Sequence, residues 1–362
     1  MSTNESPLRA FPELRATADY IARLQRPNGA IPWFKGGITD PWDHIEAMMG
    51  LTVCGAWQSA LAALQWLADR QRPDGGWYAA YDDRGVADDS RTETNFVAYV
   101  ATGLWHYFLV TGQRDVLRKY WPMVNRAVEF VLSQQNDSGE IFWAVDKYHG
   151  TNKDALVTGC SSIYKSLECA LNIGTELNEP RPAWRAARQQ LGNALRHHPE
   201  LFDRTWASKA RYSMDWFYPV LGGVITQKAA KTRLLRRWDT FVKKGFGCRC
   251  VADQPWITVA ESCELVMACI AADLTSHARQ VFDDIARYQL ADGSWWTGYV
   301  FIEEIYWPDE RPTWTAAAVL LAADALYQLT PGSTIFTSVA DTLEHAEGAT
   351  NLYAFKQSRG QR

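Results

Sequence analysis

The sequence predicts an all-α protein folded as an (α/α)6 toroid, a closed ring of about six helical hairpins. Three observations predict it. Apolar residues recur with the helical period along most of the chain, with almost no alternating strand pattern. A short turn motif recurs at the ends of helical runs. Helical runs that are almost entirely apolar and contain Ala, Gly and Ser alternate with helical runs that are charged on one face. The first kind suits an inner ring of buried helices and the second an outer ring that faces water. We expect one toroid domain over 1–345 and a polar tail over 346–362.

The predicted helices fall into two sets, about twelve in all. The runs that end in the turn motif are TADYIARLQ, ALAALQWLADRQ, AVEFVLSQQ and QVFDDIARYQ. The runs between them are DHIEAMMGLTVCG, ETNFVAYVATGLWHYFLVTG, ALVTGCSSIYKSLECALNIG, AWRAARQQLGNALRHH, ITVAESCELVMACIAADL and PTWTAAAVLLAADALYQL. The basic stretch 228–244 is expected to be a solvated outer helix, with an anionic lipid or phosphate contact as the alternative.

The turn motif is Gln, then a polar residue and Gly, then Trp. Its copies begin at Gln25, Gln71, Gln135 and Gln289, at intervals of 46, 64 and 154 residues. Gly just past a helix permits the left-handed conformation that ends it. The loops at 77–92, 143–155 and 293–312 are long and rich in Trp, Tyr and carboxylates. Long loops on a rigid helical scaffold are where we expect a functional site.

Composition excludes several classes of protein. Hydrophobic residues make up 47% and charged residues 22%, which is a globular mixture, and a net charge of −4 gives no electrostatic footprint for nucleic acid. The seven cysteines form no CxxC pair, so we expect neither disulfides nor a metal site. We see no signal peptide and no stretch for stable membrane insertion, and therefore expect a cytoplasmic protein.

Aromatic residues and carboxylates are the chemical signal. The chain has 17 Trp and 15 Tyr, more than packing needs, which suggests a cavity for sugars or for an isoprenoid. Carboxylates cluster at 40–46, at 82–93, near Asp146 and at 303–310. Those at Asp40, Asp43, Asp88 and Asp89 also suit helix N-caps. Solvated charges are not usually framed by aromatic residues, so the framed carboxylates Asp146, Glu303 and Glu304 are the acid–base candidates.

The turn motif resembles the repeats of squalene/hopene cyclases and of protein prenyltransferase β subunits. That family is also a ring of helical hairpins, and its cyclases use an Asp-x-Asp-Asp acid. Here Ala80, Val86 and Val281 occupy the first position before the three Asp-Asp pairs, so this chain has no copy of the acid motif.

A second resemblance covers most of residues 30–330. The stretch ETNFVAYVATGLWHYFLVTGQRDVLRKYWPMVNRAVEFVLSQQNDSGEIFW resembles the second and third hairpins of glucoamylase-type, six-hairpin glycosidases. In those enzymes the general acid follows the Gly-Trp turn, and the base precedes the last inner helix. The resemblance therefore implies Asp146 as the acid, displaced by a few residues, and Glu303 or Glu304 as the base.

These observations predict a carbohydrate-active enzyme, an inverting glycoside hydrolase that needs no cofactor and no metal. Its substrate would be a glycan or glycoside, free or lipid-linked. The Trp-rich wall should raise the pKa of Asp146. The remaining substrate-binding candidates are Trp33, Asp43, Glu46, Trp77, Glu93, Trp143, Asp215, Trp216, Trp296 and Trp307.

Three alternatives remain open. An isoprenoid-handling enzyme would use the same rings to stabilise a carbocation. A non-catalytic glycan-binding protein would lack two carboxylates across a cavity. A sugar epimerase would use His149 or His44. The density of carboxylates in the loops favours a sugar over a terpene.

Overall fold

The computed structural model describes residues 12–338, and these are mostly helical. The predicted tail 346–362 and the last residues of the predicted domain lie outside this range. The helices are α1 Pro12–Leu24, α2 Pro41–Val53, α3 Trp57–Arg70, α4 Thr94–Thr111, α5 Arg114–Leu132, α6 Val157–Glu176, α7 Pro182–His197, α8 Ser213–Leu221, α9 Gln227–Arg236, α10 Trp238–Phe241, α11 Val259–Ala271, α12 Thr275–Ile285 and α13 Thr313–Tyr327. None of these helices is long and apolar enough to cross a membrane.

Six helices contact one another in a closed cycle, which we call the inner ring. Its members in order are α2, α4, α6, α8, α11 and α13, and α13 packs back against α2. The helices α1, α3, α5, α7, α9 and α12 each pack against members of this ring from outside. The predicted alternation of apolar and one-sided helices is therefore present as an inner and an outer layer.

Small residues allow the inner helices to approach closely. A Cβ added at Gly50 of α2 would lie 2.9 Å from the Cα of Ala317 in α13. A Cβ added at Gly103 of α4 would lie 2.6 Å from Ile45 Cγ2 of α2. In α13 the run 315–326 is buried throughout. A helix buried on several sides has no polar face, which explains the apolar sequence pattern of this set.

The described chain is mostly helical, as expected, but it is not all-α, because three small antiparallel sheets are also present. One pairs β1 Ala80–Asp82 with β2 Gly85–Asp88, and a second orders β3 Arg91–Glu93, β4 Ala144–Asp146 and β5 Gly150–Asn152. The third has the order β10-β9-β8-β7-β6, from β6 Val242–Lys243, β7 Gly247–Arg249, β8 Trp256–Thr258, β9 Gly298–Val300 and β10 Ile305–Tyr306. Strands of two to four residues are too short to show an alternating pattern.

The strands lie at one end of the inner ring. Strand β3 runs directly into α4, and β8 runs directly into α11. The β9–β10 hairpin pairs with β8 through β9, and β4 and β5 extend the sheet from β3. The N-terminal ends of the inner helices and the hairpins therefore form one face of the molecule, which we call the hairpin face.

The turn motifs join neighbouring outer helices. In each copy the Gln side-chain nitrogen donates to an oxygen of another outer helix. The acceptors are Ser59 O for Gln25, Met123 O for Gln71, Ala187 O for Gln135, and Glu13 O and Thr17 Oγ1 for Gln289. The motif therefore has a packing role, and its resemblance to cyclase repeats does not extend to their chemistry.

Candidate active site

A central cavity of about 150 Å³ opens among the N-terminal turns of four inner helices. Its lining residues are Trp42, Asp43 and Glu46 of α2, Met214 of α8, Ala260, Glu261 and Glu264 of α11, and Trp314 and Ala318 of α13. A smaller space of about 10 Å³ lies deeper, shares Glu46 and Glu264, and reaches Tyr99, Lys165 and Tyr218. The site therefore lies where the inner ring meets the hairpin face.

Helical spacing places two carboxylates from each of two helices at this cavity. Asp43 and Glu46 are three residues apart in α2, and Glu261 and Glu264 are three apart in α11. Residues at this spacing share one face of a helix. Asp40 begins α2: its carboxylate accepts from the Asp43 backbone N–H at 3.0 Å and from the Trp33 indole N–H at 2.5 Å. Its predicted capping role is confirmed.

The pKa of Asp43 is raised well above its ordinary value. Burial is the main cause, and the neighbouring Asp40 carboxylate is the next, followed by Glu46 and Glu264. Adjacent carboxylates in a dry site oppose one another's ionisation, which favours the protonated form of Asp43. A protonated carboxyl beside a cavity is suited to act as a general acid.

Two tyrosines hold the deeper carboxyls in place. The Tyr99 hydroxyl donates to Glu46 Oε2 at 2.5 Å, and the Tyr218 hydroxyl donates to Glu264 Oε1. Burial raises the pKa of Glu46 to about 7 and that of Glu264 well above its ordinary value. The Trp42 ring stacks on Tyr99, with centroids 4.3 Å apart. Both deeper carboxyls are therefore hydrogen-bonded by a tyrosine, and burial favours their protonated forms.

Two polar atoms of the cavity lining have no partner among the residues that the structure describes. They are Glu261 Oε2 and the indole nitrogen of Trp314, and both are buried. Buried polar atoms are normally hydrogen-bonded, so these two are available to a water molecule or a substrate hydroxyl. Within residues 12–338, no three His, Cys, Asp or Glu side chains form a group that could hold a metal ion.

Asp146 lies outside the lining of this cavity, at the end of β4. Its carboxylate accepts from the backbone N–H groups of Tyr148 and His149, both at 2.8 Å. These bonds lower its pKa, and the residue is half-buried. The expectation that a Trp-rich wall raises its pKa is therefore wrong; the carboxylate stabilises the β4–β5 turn.

Glu303 and Glu304 are exposed, and like Asp146 they lie outside the cavity lining. Both belong to the turn that joins β9 to β10. Glu304 adopts a left-handed backbone with φ of 58°. The aromatic residues that flank them in sequence belong to or adjoin the neighbouring strands. The aromatic framing of these two carboxylates therefore comes from their position at the tip of a hairpin. Asp146 and Glu304 do share the hairpin face, as the equivalent loops of a ring would.

The predicted substrate-binding residues separate into three groups. Asp43 and Glu46 line the cavity. Trp77 and Trp216 are each 1% exposed, with indole N–H groups bonded to backbone oxygens of Leu67 and Arg233, so neither offers a ring face to a sugar. The others lie on or near the hairpin face. Trp33 donates a hydrogen bond to Asp40, and Glu93 forms an ion pair with Arg91. Trp143 contacts the Trp206 ring, Trp296 stacks on Tyr306, and Trp307 is 52% exposed.

Asp215 follows the cavity residue Met214 but lines a separate groove with Arg233 and Arg237. Burial, then the charge of Asp203, raises its pKa to about 6. Its Oδ1 has no hydrogen-bond partner among the described residues.

Sequence reasoning missed Trp42, Glu261, Glu264 and Trp314 of the cavity lining, and Tyr99 and Tyr218 of the deeper space. One signal was available. Acidic residues three apart in the first two turns of an otherwise apolar helix occur in both α2 and α11. Buried acids in an apolar helix need a reason, because an unpaired charge there is costly.

Comparison with known proteins agrees with this geometry. The chain is 48% identical over 327 residues to the MMP endo-(1,4)-3-O-methyl-alpha-D-mannosidase of Mycolicibacterium hassiacum, covering 90% of this chain and 89% of that protein. A solved wild-type glycosidase superposes with a TM-score of 0.71 at 15% identity, over 91% of this chain and all of its own. A solved D-mannose isomerase gives 0.65 at 10% identity, over 91% and 99%. No family model matches the chain.

The two solved structures support a shared fold. The mannosidase relative is similar enough in sequence, over enough of both chains, to establish that the two proteins are homologous. The predicted carbohydrate-active enzyme is confirmed, and the isoprenoid and binding-protein alternatives are not favoured. The cavity that collects four carboxyls, and the relative that matches nine-tenths of the chain, lead to one conclusion: this chain is a glycoside hydrolase and belongs to the family of the M. hassiacum endo-mannosidase.

Proposed function

We propose that this glycoside hydrolase cleaves internal 1,4 linkages in chains of 3-O-methylated α-mannosyl units. The linkage and the sugar are those in the name of the relative, which is 48% identical. The observation that carries the chemistry is that one cavity holds both Asp43, whose pKa is raised, and the unpartnered Glu261 carboxylate oxygen.

In the proposed mechanism Asp43 is the general acid and Glu261 the general base. Asp43 gives its proton to the glycosidic oxygen as the bond to the anomeric carbon breaks. Glu261 takes a proton from a water molecule that attacks this carbon from the opposite face, so the configuration inverts. The protonated forms of Glu46 and Glu264, which their raised pKa values favour, donate hydrogen bonds to sugar hydroxyls. Trp42 and Trp314 bound the sugar ring. An inverting pair requires carboxyl groups about 6.5–9.5 Å apart.

We also propose that the fold is an (α/α)6 toroid, six hairpins in which each inner helix has one outer partner. The closed cycle of inner helices and its outer layer support it. A reducing compartment such as the cytoplasm is supported by the seven cysteines, all of which are free.

The test is substitution of each proposed catalytic carboxyl. Asp43→Asn and Glu261→Gln should each lower kcat on a 3-O-methylmannosyl oligosaccharide by about 10²-fold or more, as expected for acid–base groups. Circular dichroism should show an unchanged fold. Asp115→Asn, on the exposed face of α5, is the matched control and should behave as the wild type. Proton NMR of the first product formed should show the inverted anomer.

Two outcomes would reassign the site. Near-normal turnover in Asp43→Asn and Glu261→Gln, with activity lost in Asp146→Asn and Glu304→Gln, would move catalysis to the two hairpins. A retained anomer would make one carboxylate a nucleophile. The lipid-linked alternative is tested by comparing kcat/KM on the free oligosaccharide with kcat/KM on the same oligosaccharide joined to a lipid carrier. A strong preference for the lipid-linked substrate would support that alternative.

A further inference from the structure

Large apolar side chains are exposed almost entirely on the hairpin face. Among residues 12–338 the exposed ones are Val86, Tyr148, Tyr212, Leu235, Ile302, Ile305, Tyr306 and Trp307. Seven of these eight belong to the strands, turns or helix caps at the N-terminal ends of the inner helices. The exception is Leu235, on the outer helix α9. Exposed apolar groups that gather on one face mark a binding surface.

Two groups of these side chains belong to separate hairpins of the hairpin face. Val86 belongs to the β1–β2 hairpin, which precedes α4, and Tyr148 belongs to the β4–β5 hairpin, which pairs with β3 and leads into α6. The group at 302–307 belongs to the β9–β10 hairpin, which pairs with the strand that leads into α11. In the contact cycle of the inner ring, α11 is three steps from α4 and two steps from α6. An extended ligand that crosses the cavity would therefore meet both groups.

The larger group is held rigidly. The Trp256 indole N–H donates to the Trp307 carbonyl at 2.9 Å, and the two rings meet edge to face with centroids 4.9 Å apart. Tyr306 stacks on Trp296 with centroids 4.8 Å apart and planes 12° apart. Trp307 nevertheless stays 52% exposed, and Ile302 stays 69% exposed. A preorganised aromatic surface loses little conformational entropy when it binds a ligand.

The chemistry of this group favours a methylated sugar chain over a lipid surface. Glu303, Glu304 and Asp309 lie among its apolar side chains and are exposed. These negative charges oppose an anionic membrane, which attracts basic segments. Carboxylates accept hydrogen bonds from sugar hydroxyls, while aromatic and aliphatic faces pack against the C–H face of a sugar and against methyl groups.

We propose that the two apolar groups bind the methylated sugar units on either side of the cleaved bond, with O-methyl groups packed on Ile302, Ile305 and Trp307 at one end and on Tyr148 at the other. This inference rests on the proposed function, since an enzyme that cuts within a chain must hold units on both sides of the cut. It adds the residues that distinguish a methylated chain from an unmethylated one.

The test compares long and short substrates in surface variants. Losing the burial of one O-methyl group costs about fourfold in binding. Tyr148→Ser should therefore lower kcat/KM on a long methylated chain by about fourfold, and Ile302→Ser combined with Trp307→Ala by up to about 16-fold. A short aryl glycoside that fills only the cavity should change less than about twofold. Leu235→Ser removes an exposed apolar side chain of the outer helix α9 that belongs to neither group, and both substrates should behave as with the wild type.

Binding gives a second readout that does not need turnover. In the Asp43→Asn background, the same surface variants should weaken binding of the methylated chain, measured by calorimetry, and leave binding of an unmethylated mannan chain nearly unchanged. Equal losses on both chains, or equal losses in Leu235→Ser, would overturn the proposal while leaving the proposed function intact. The proposal would also be overturned if the wild type bound phosphatidylglycerol vesicles and the surface variants did not. Failure of the wild type to cleave or bind any methylated chain would remove the proposed function as well.

Discussion

Glu46 shows how one residue can be costly to the fold and useful to the site. Its carboxyl is 6% exposed and accepts the Tyr99 hydroxyl proton at 2.5 Å. Burial raises its pKa to about 7. At neutral pH a substantial fraction of the folded molecules therefore carries a protonated Glu46, which can donate a hydrogen bond where an ionised carboxylate can only accept.

The raised pKa of Glu46 predicts a pH-dependent stability. Because the folded state keeps this proton to higher pH than the unfolded state, the associated stability is fully present below about pH 4.5 and is lost as pH rises through about 7. Relative to Glu46→Gln, the free energy of unfolding of the wild type should fall by up to about 3 kcal/mol between pH 4.5 and 8. Urea unfolding of both proteins across this range measures it. Parallel curves would mean that Glu46 titrates normally.

At the scale of elements, the turn motif explains how one outer helix is joined to the next. Its glycines have φ between 87° and 104°, at Gly29, Gly75, Gly139 and Gly293. A Cβ at each would lie within 2.6 Å of a backbone oxygen on the helix that the motif contacts. The motif needs glycine for two reasons, a left-handed backbone and a close approach to another helix.

Substitution separates these two reasons. Gly75→Ala adds a Cβ 2.1 Å from the Arg126 carbonyl oxygen at φ of 95°, and should destabilise the fold by about 2–4 kcal/mol. Gly36→Ala, at φ of 77° with open space around the Cβ, should cost only about 1 kcal/mol. Chemical denaturation of both variants measures the difference. Equal losses would show that the close approach to α5 has no energetic effect.

For the whole molecule, the last motif copy closes the outer layer. Gln289 and Gly293 follow α12 near the end of the chain and contact α1 at its beginning. Trp295 adds an indole hydrogen bond to Thr17 Oγ1 at 3.0 Å. The inner ring is also closed, between α13 and α2, so both layers join early and late segments of the described chain.

A closed ring should unfold as one unit. Gly293→Ala, whose Cβ would lie 2.0 Å from Ala16 O, should lower the midpoint of unfolding and lower activity in proportion to the folded fraction. Far-ultraviolet circular dichroism and tryptophan fluorescence should still give coincident transitions, because loss of closure removes neighbours from both ends of the chain together. Separate transitions for the two probes would show that α1 opens independently.

The sequence by itself determined the helices, their inner and outer character, and the turn motif. These depend on residues at most a few turns apart, which periodicity reports directly. It also indicated that carboxylates and aromatic residues do the chemistry, although it pointed to Asp146 and Glu304. Both are explained locally in the structure, one as a turn acceptor and one as a hairpin-tip residue.

Only the tertiary structure decided which carboxyls meet. Asp43 and Glu261 are 218 residues apart in sequence and come together because α2 and α11 both contact α13 in the ring. Strands of two to four residues form only where an existing ring brings their partners into register. Burial, which raises the pKa of Asp43, is likewise a property of the assembled ring. Each of these features depends on contacts between distant segments, and local sequence patterns do not encode such contacts.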